Sequence, residues 1–153
     1  MTLFLLIYLQ IHPTSTPNLS TIPPHLHHLT RQALGTPYQW GGPAWKPGSN
    51  LGVDCSSLGQ GFILAATGKT IPRTTRKMLK DAIPFPGFHN LQPLDVILFQ
   101  MKEGRHCVIW LGGAKSLALH APSPGKTVCL ISLQKGSPQQ RYWQPKIIGI
   151  YRP

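Results

Sequence analysis

From Asp95 onward the chain breaks into five short β-rich runs: DVILF (95–99), HCVIWL (106–111), SLALH (116–120), TVCLISL (127–133) and KIIGIY (146–151). Gly, Pro or Lys turn signals separate them, as expected of short strands joined by tight connections. The first half reads differently, with apolar residues at helical rather than alternating spacing. Helices first and strands after define an α+β domain, with N-terminal helices packed on a mainly antiparallel five-stranded sheet. At 153 residues the chain is long enough to bury one real core, and no internal repeat divides it. Sixteen prolines and fifteen glycines imply many loops around few regular elements.

Residues 1–24 read as an extended N-terminal segment and residues 25–153 as a single domain. Within the segment, Leu3 to Ile11 is apolar but too short to cross a bilayer as a helix. It has neither the basic flank nor the small-residue cleavage site of an export signal, so a weak signal, a first strand and a packed segment all stay open. A short helix is expected from about His25 to Leu34, with Leu26, Leu29 and Ala33 on one face and Gly35 ending it. His25, His27 and His28 lack a nearby cysteine or carboxylate and read as surface histidines rather than metal ligands. Residues 36–53, rich in Gly and Pro and carrying Tyr38, Trp40 and Trp45, form a structured loop. A further helix is expected over 74–82, capped by Thr74.

Fifteen Lys and Arg stand against four acids, a formal net charge of +11, and Lys69, Arg73, Arg76, Lys77 and Lys80 cluster in one stretch. Such a surface seeks anions: nucleic acid, anionic membrane or an acidic cell wall. Neither aromatic-interleaved strands nor paired zinc ligands are present, so nucleic acid is not expected as a partner.

Three cysteines, an odd number, argue against a disulfide scaffold, although a Cys107–Cys129 bridge stays open. Cys55 is the informative one. In GVDCSSLGQGF it opens a helix for which Asp54 is the N-cap and Leu58, Phe62 and Ala66 are the apolar stripe. A helix start presents unpaired N–H groups and the positive end of the dipole, both of which favour thiolate. Gly59, one turn along, would allow close approach to the sheet. Gly112-Gly113-Ala114-Lys115 signals a hairpin, and a turn centred on Gly113 sets His106 directly opposite His120, on one face of the sheet. The same alternation puts Val108 and Trp110 beside His106, and points Cys107 away from any site built around it. Cys55, His106 and His120 then form a nucleophile, a base and an orienting group, with the Cys55 backbone N–H facing a developing oxyanion. This use of the thiol is preferred to a zinc site on the same three residues, and no cofactor is expected.

GTPYQWGG (35–42), GVDCSSL (52–58), IPRTT (71–75), LQPLDVILF (91–99), HCVIWLGG (106–113) and LHAPSPGK (119–126) occur in this order. Together they closely resemble the NlpC-type cell-wall cysteine peptidases, a papain-like family, over roughly residues 25–152. The resemblance implies Cys55 as nucleophile, His106 as base and His120 as the orienting residue. It further implies that the Tyr38 hydroxyl helps the oxyanion hole and that Asp54, Ser56 and Arg73 lie near the substrate cleft. Family members usually cleave peptidoglycan stem peptides, often between D-glutamate and diaminopimelate. Three departures stand out: Ser57 and Leu94 where the family usually has Gly, and Cys107-Val108 where Val-Gly follows the histidine. Val108 shares the His106 face, so its bulk is expected to narrow the cleft.

The expected protein is thus a thiol peptidase or amidase of the cell envelope, periplasm or extracellular space, working through an acyl-enzyme. Its expected partners are peptidoglycan stem peptides and anionic cell-wall polymers. A lone catalytic domain without a clear signal also suits a delivered effector toxin or a phage-associated lysin, and with it an immunity or delivery partner. The competing readings keep the triad for acyl transfer or deamidation on another amide, or make the chain an idle basic cell-wall-binding module.

Overall fold

The computed structural model describes residues 18–153. The Leu3–Ile11 stretch, read above as weak signal, strand or packed segment, lies outside them. The described chain enters with Leu19 and Ile22 already buried in the core. A single 3-10 turn, Pro24–Leu26, leads into α1 (His27–Ala33), so the α-helix expected from about His25 starts two residues later. Then follow α2 (Cys55–Thr67), α3 (Thr75–Lys80), β1 (Val96–Met101), β2 (Gly104–Gly112), β3 (Leu117–His120), β4 (Cys129–Ser132), α4 (Pro138–Trp143) and β5 (Ile147–Tyr151). The five strands make one sheet in the order β4-β3-β2-β1-β5, with every neighbouring pair antiparallel.

Both faces of the sheet are covered, which is why β1 reads as an unbroken apolar run instead of alternating. Val96, Leu98, Cys107, Ile109, Leu111 and Leu119 face the helices, packing with Leu58, Phe62 and Ile63 of α2 and with Leu26 and Ala33. Ile97, Phe99, Val108, Trp110 and Ala118 face the other way, under Trp143 of α4 and the partly buried Phe85 and Phe88. Sequence reading missed α4, although the signal was there. Ser137 caps it by accepting from the Gln140 N–H at 3.1 Å, and Pro138 occupies the first turn, where its missing N–H costs nothing.

Local chemistry explains how α2 is placed. Asp54 accepts from the Ser57 N–H at 2.8 Å and the Ser57 hydroxyl accepts from the Asp54 N–H at 2.9 Å, a reciprocal capping box. Close approach falls at Gly61 and not at Gly59: a Cβ on Gly61 would sit 1.9 Å from the Trp45 carbonyl oxygen, whereas one on Gly59 meets only Ile71 at 3.9 Å. The helix is thus fitted to the 36–53 loop, whose Trp45 N–H bonds the Ser57 carbonyl at 3.1 Å. At the entry to β1, Leu94 has φ +76°, and the Asp95 N–H closes a turn onto the Gln92 carbonyl at 3.0 Å. Left-handed backbone there is why glycine suits the position, and a leucine carries strain of about 1–2 kcal/mol. Arg152 grips both oxygens of buried Asp95, at 2.9 and 2.8 Å, and ties the C-terminus to that turn.

The β2–β3 register differs from a turn centred on Gly113. Ile109 pairs with Leu119 and Trp110 with Ala118, and a bulge at the Gly112 end takes up the difference. Continued along the strands, that pairing sets His120 opposite Val108, two residues from the expected partner. An even shift preserves parity, so His106 and His120 still share a face, as diagonal neighbours.

Candidate active site

Cys55 opens α2 at the edge of a cleft of about 550 Å³. Tyr38 and Trp40 of the 36–53 loop, the β1–β2 hairpin (101–105), the imidazoles of His106 and His120, residues 122–124, Cys129 and Ile131 of β4, and Tyr142, Trp143 and Lys146 form its walls. Cys55 is partly exposed, while His106 and His120 are buried. His106 Nε2 lies 2.9 Å from His120 Nδ1. The Cys55 thiol lies beside the His106 ring and feels its hydrogen-bonding capacity and charge, so thiol, ring and ring follow one another in space. With Nε2 committed to His120, Nδ1 is the nitrogen left for the thiol.

The electrostatics of that line are directional. Burial, and after it the charge of His106, holds His120 well below the usual histidine value, so it stays neutral. Across their 2.9 Å contact one of the two nitrogens, His106 Nε2 or His120 Nδ1, donates the proton and the other accepts it. Trp143 stacks on His106 with ring centroids 5.6 Å apart and meets His120 edge-on at 5.9 Å, which covers part of both rings. The Cys55 thiol is held well below the ordinary thiol range. A hydrogen bond from the Cys107 thiol contributes most; burial opposes it, and the His106 bond and charge add to the lowering.

That partner overturns one expectation. Cys107 does face away from His106 and His120, yet the face it occupies is the one α2 covers, so it meets Cys55 rather than being set aside. Its own thiol is pushed well above the ordinary range, by the bond to Cys55, by burial and by the Cys55 charge. Cys107 and Cys129 are both thiols and form no bridge; the former lies against α2 and the latter lines the cleft.

The remaining expected site residues separate into two groups. Tyr38 lines the cleft beside Cys55, and burial, then the charges of Cys55 and Asp54, raises its hydroxyl above the usual phenol value, so it remains a donor. Asp54, Ser56 and Arg73 do not line the cleft: they bond one another at the start of α2. The Asp54 carboxylate accepts from the N–H groups of Ser57 (2.8 Å) and Gly41 (3.0 Å), from Ser56 Oγ (3.1 Å) and from Arg73 (3.3 and 3.2 Å). Burial alone would raise that carboxyl, but the Ser57, Arg73 and Gly41 donors outweigh it and hold it below its usual value. Arg73 also donates to Ser56 Oγ at 2.8 Å and to the Gly42 carbonyl at 2.9 Å, which withdraws it from the basic cluster of 69–80.

Ser57 and Val108 do not narrow the cleft. Ser57 is fully buried in the capping box, and Val108 packs under the second layer; neither is on the cleft wall. Among the departures from the family pattern, the one that touches the thiol is Cys107. Sequence reading also missed Trp143, whose role depends on an element it did not find. His27, one of the three clustered histidines, bonds the Ile22 carbonyl at 2.9 Å.

A partly exposed thiol at a helix start, set beside a buried imidazole pair on an antiparallel sheet, defines a papain-like α+β domain. The model of the NlpC/P60 family matches residues 35–152, and the chain belongs to that family. Solved structures agree. The NlpC/p60 domain of the peptidoglycan hydrolase SagA is 31% identical over 69% of this chain and 84% of that one, with a TM-score of 0.52. A lipoprotein-like NLP/P60 family protein from Staphylococcus aureus is 26% identical over 92% of this chain, at TM-score 0.60, and the match spans 43% of its length. The peptidoglycan hydrolase RipB from Mycobacterium tuberculosis, 22% identical over 97% of this chain and 77% of that one, shares the fold at TM-score 0.58. No curated protein matches. Among the described residues no helix is long and apolar enough to cross a membrane.

Proposed function

We propose that this chain hydrolyses the peptide stems of bacterial peptidoglycan as a thiol peptidase, at a D-glutamyl–diaminopimelate type of bond. What carries the reading is the line Cys55–His106–His120, with its 2.9 Å imidazole contact, opening onto a cleft of substrate size. SagA, whose NlpC/p60 domain is a peptidoglycan hydrolase's, supports the substrate class. Lys102, Arg105 and Lys146 outnumber Glu103 on the cleft wall, a net positive lining that suits carboxylate-bearing peptides and the anionic polymers of a cell envelope.

In this mechanism the Cys55 thiolate adds to the scissile carbonyl, and the carbonyl oxygen takes the negative charge. The Cys55 N–H and the Tyr38 hydroxyl stabilise that oxyanion. His106 delivers its proton to the leaving amine as the C–N bond breaks, leaving a thioester on Cys55. His106 then takes a proton from water, hydroxide adds to the thioester, and the carboxylate product leaves as the proton returns to the site. His120 holds the ring orientation throughout and stays neutral.

The test is digestion of purified peptidoglycan, with mass spectrometry of the released fragments, beside a Cys55→Ala control. New amino and carboxyl termini at one stem bond are expected with the wild type and not with the control. Products that persist with Cys55→Ala would remove Cys55 from the mechanism. Release of ammonia or formation of a new amide, in place of new termini, would instead identify deamidation or acyl transfer.

A further inference from the structure

Hydrolysis uses Cys55 and leaves a second nucleophile beside it idle. Cys107 is 1% exposed, lies on β2 on the face that α2 covers, and shares with Cys55 the core cluster in which the two thiols act on each other. The cleft gives small solutes access to Cys55, while Cys107 is buried and does not line it. That is the arrangement of an attacking and a resolving thiol. We propose that Cys107 resolves an oxidised Cys55, so that peroxide closes a reversible Cys55–Cys107 disulfide across the α2–β2 contact and silences the thiol without destroying it.

The Cys55 thiolate attacks one oxygen of hydrogen peroxide; the S–O bond forms, the O–O bond breaks, and hydroxide leaves and is protonated to water. Cys55 is now a sulfenic acid. The Cys107 sulfur attacks the Cys55 sulfur; the S–S bond forms, the S–O bond breaks, and the hydroxyl leaves with the Cys107 proton as water. A dithiol reductant reverses the bond by exchange and is itself oxidised to a disulfide. Conversion of Cys55 from thiolate to uncharged sulfenic acid also removes the negative charge that keeps the Cys107 proton in place.

Cys129 provides a built-in control. It pairs with His120 in the sheet and lines the same cleft, but on the face away from Cys107. Packing favours Cys107, which shares a core cluster with Cys55.

The inference needs an acidic Cys55 and does not depend on which amide Cys55 attacks. It is tested on the full chain by treatment with hydrogen peroxide, protease mapping by mass spectrometry, and then dithiothreitol. The expected result is a Cys55–Cys107 cross-linked peptide that disappears on reduction, with iodoacetamide labelling of Cys55 restored. In Cys107→Val the cross-link is absent, Cys55 proceeds to sulfinic acid, and labelling does not return. Cys107→Ser serves the same purpose with a smaller change in core volume. A Cys55–Cys129 link, wild-type Cys55 sulfinic acid beside a reduced Cys107, or equal recovery in the Cys107 variants would overturn the proposal. Because the readout is thiol chemistry, failure to cleave peptidoglycan leaves this result interpretable on its own.

Discussion

Cys55 stands between two regions built on opposite principles. On its helix side, Asp54, Ser56, Ser57 and Arg73 saturate one another with charge-assisted hydrogen bonds, and the carboxylate is driven further toward its ionised form. On its sheet side, His106 and His120 share one bond, under an aromatic lid, and burial drives His120 toward its neutral form. A fully bonded charged cluster fixes position, because each donor has its acceptor and nothing is left to react. A buried imidazole pair against Trp143 sets proton affinity, because burial disfavours the charged form of His120. The difference teaches that residues adjacent in sequence to a reactive thiol need not share its chemistry. Asp54 and Ser56 flank Cys55 and hold it, whereas the groups that tune it come from β2 and β3.

Breaking the sheet side should have the largest effect. His106→Ala is expected to lower the rate of peptidoglycan cleavage by roughly a hundred- to ten-thousandfold, the usual worth of a general acid–base group. The same variant should shift the pH dependence of Cys55 labelling. Iodoacetamide reacts with the thiolate, and wild-type Cys55, its proton affinity lowered, should label well below the ordinary thiol value of 9.0. Without His106 the onset should move upward toward that value, and Cys107 and Cys129 should label slowly in both proteins. An unmoved onset would detach His106 from the thiol.

Breaking the helix side should cost stability more than chemistry. Asp54→Ala removes the N-cap, a loss of about 1–2 kcal/mol, read as a lower urea midpoint. The sign with pH follows from the lowered carboxyl. Asp54 contributes its stabilisation above its unfolded value, near 3.8, and loses it as pH falls through the lower folded value. The variant should therefore lose that part of the acid-limb slope. If Asp54→Ala abolished labelling of Cys55 while leaving the midpoint in place, the division between the two regions would fail.

The smallest expected effect lies outside both regions and calibrates them. At Leu94, with φ +76°, Leu94→Gly and Leu94→Ala both give up a buried side chain, but only the former relieves the left-handed backbone. The glycine variant should be the more stable of the two by about 1 kcal/mol, measured by thermal or urea unfolding, with Cys55 labelling unchanged in either.

Much of this was legible before any fold was seen, and the reasons are local. Strand runs, Gly and Pro turns, the Asp54 cap and the Thr74 cap depend on residues within a few positions of one another. The shared face of His106 and His120 also survived a wrong turn centre, because parity tolerates a shift of two. Ser137-Pro138 is an equally local signal for α4, the helix that carries Trp143. Other features had no local signal at all. Gly61 against Trp45, and the withdrawal of Arg73 into the Asp54 cluster, join segments whose separation in sequence carries no information about contact.

Taken alone, the sequence determined an α+β chain with a cysteine at a capped helix start and two histidines on one sheet face, since periodicity and capping are short-range physics. Only the tertiary structure decided what that cysteine touches. Period two correctly turned Cys107 away from the histidines, but which layer covers each face is a long-range packing outcome, and α2 came down on the Cys107 side. That choice set a second thiol against the first, and it placed the aromatic lid of α4 over the imidazoles on the other face.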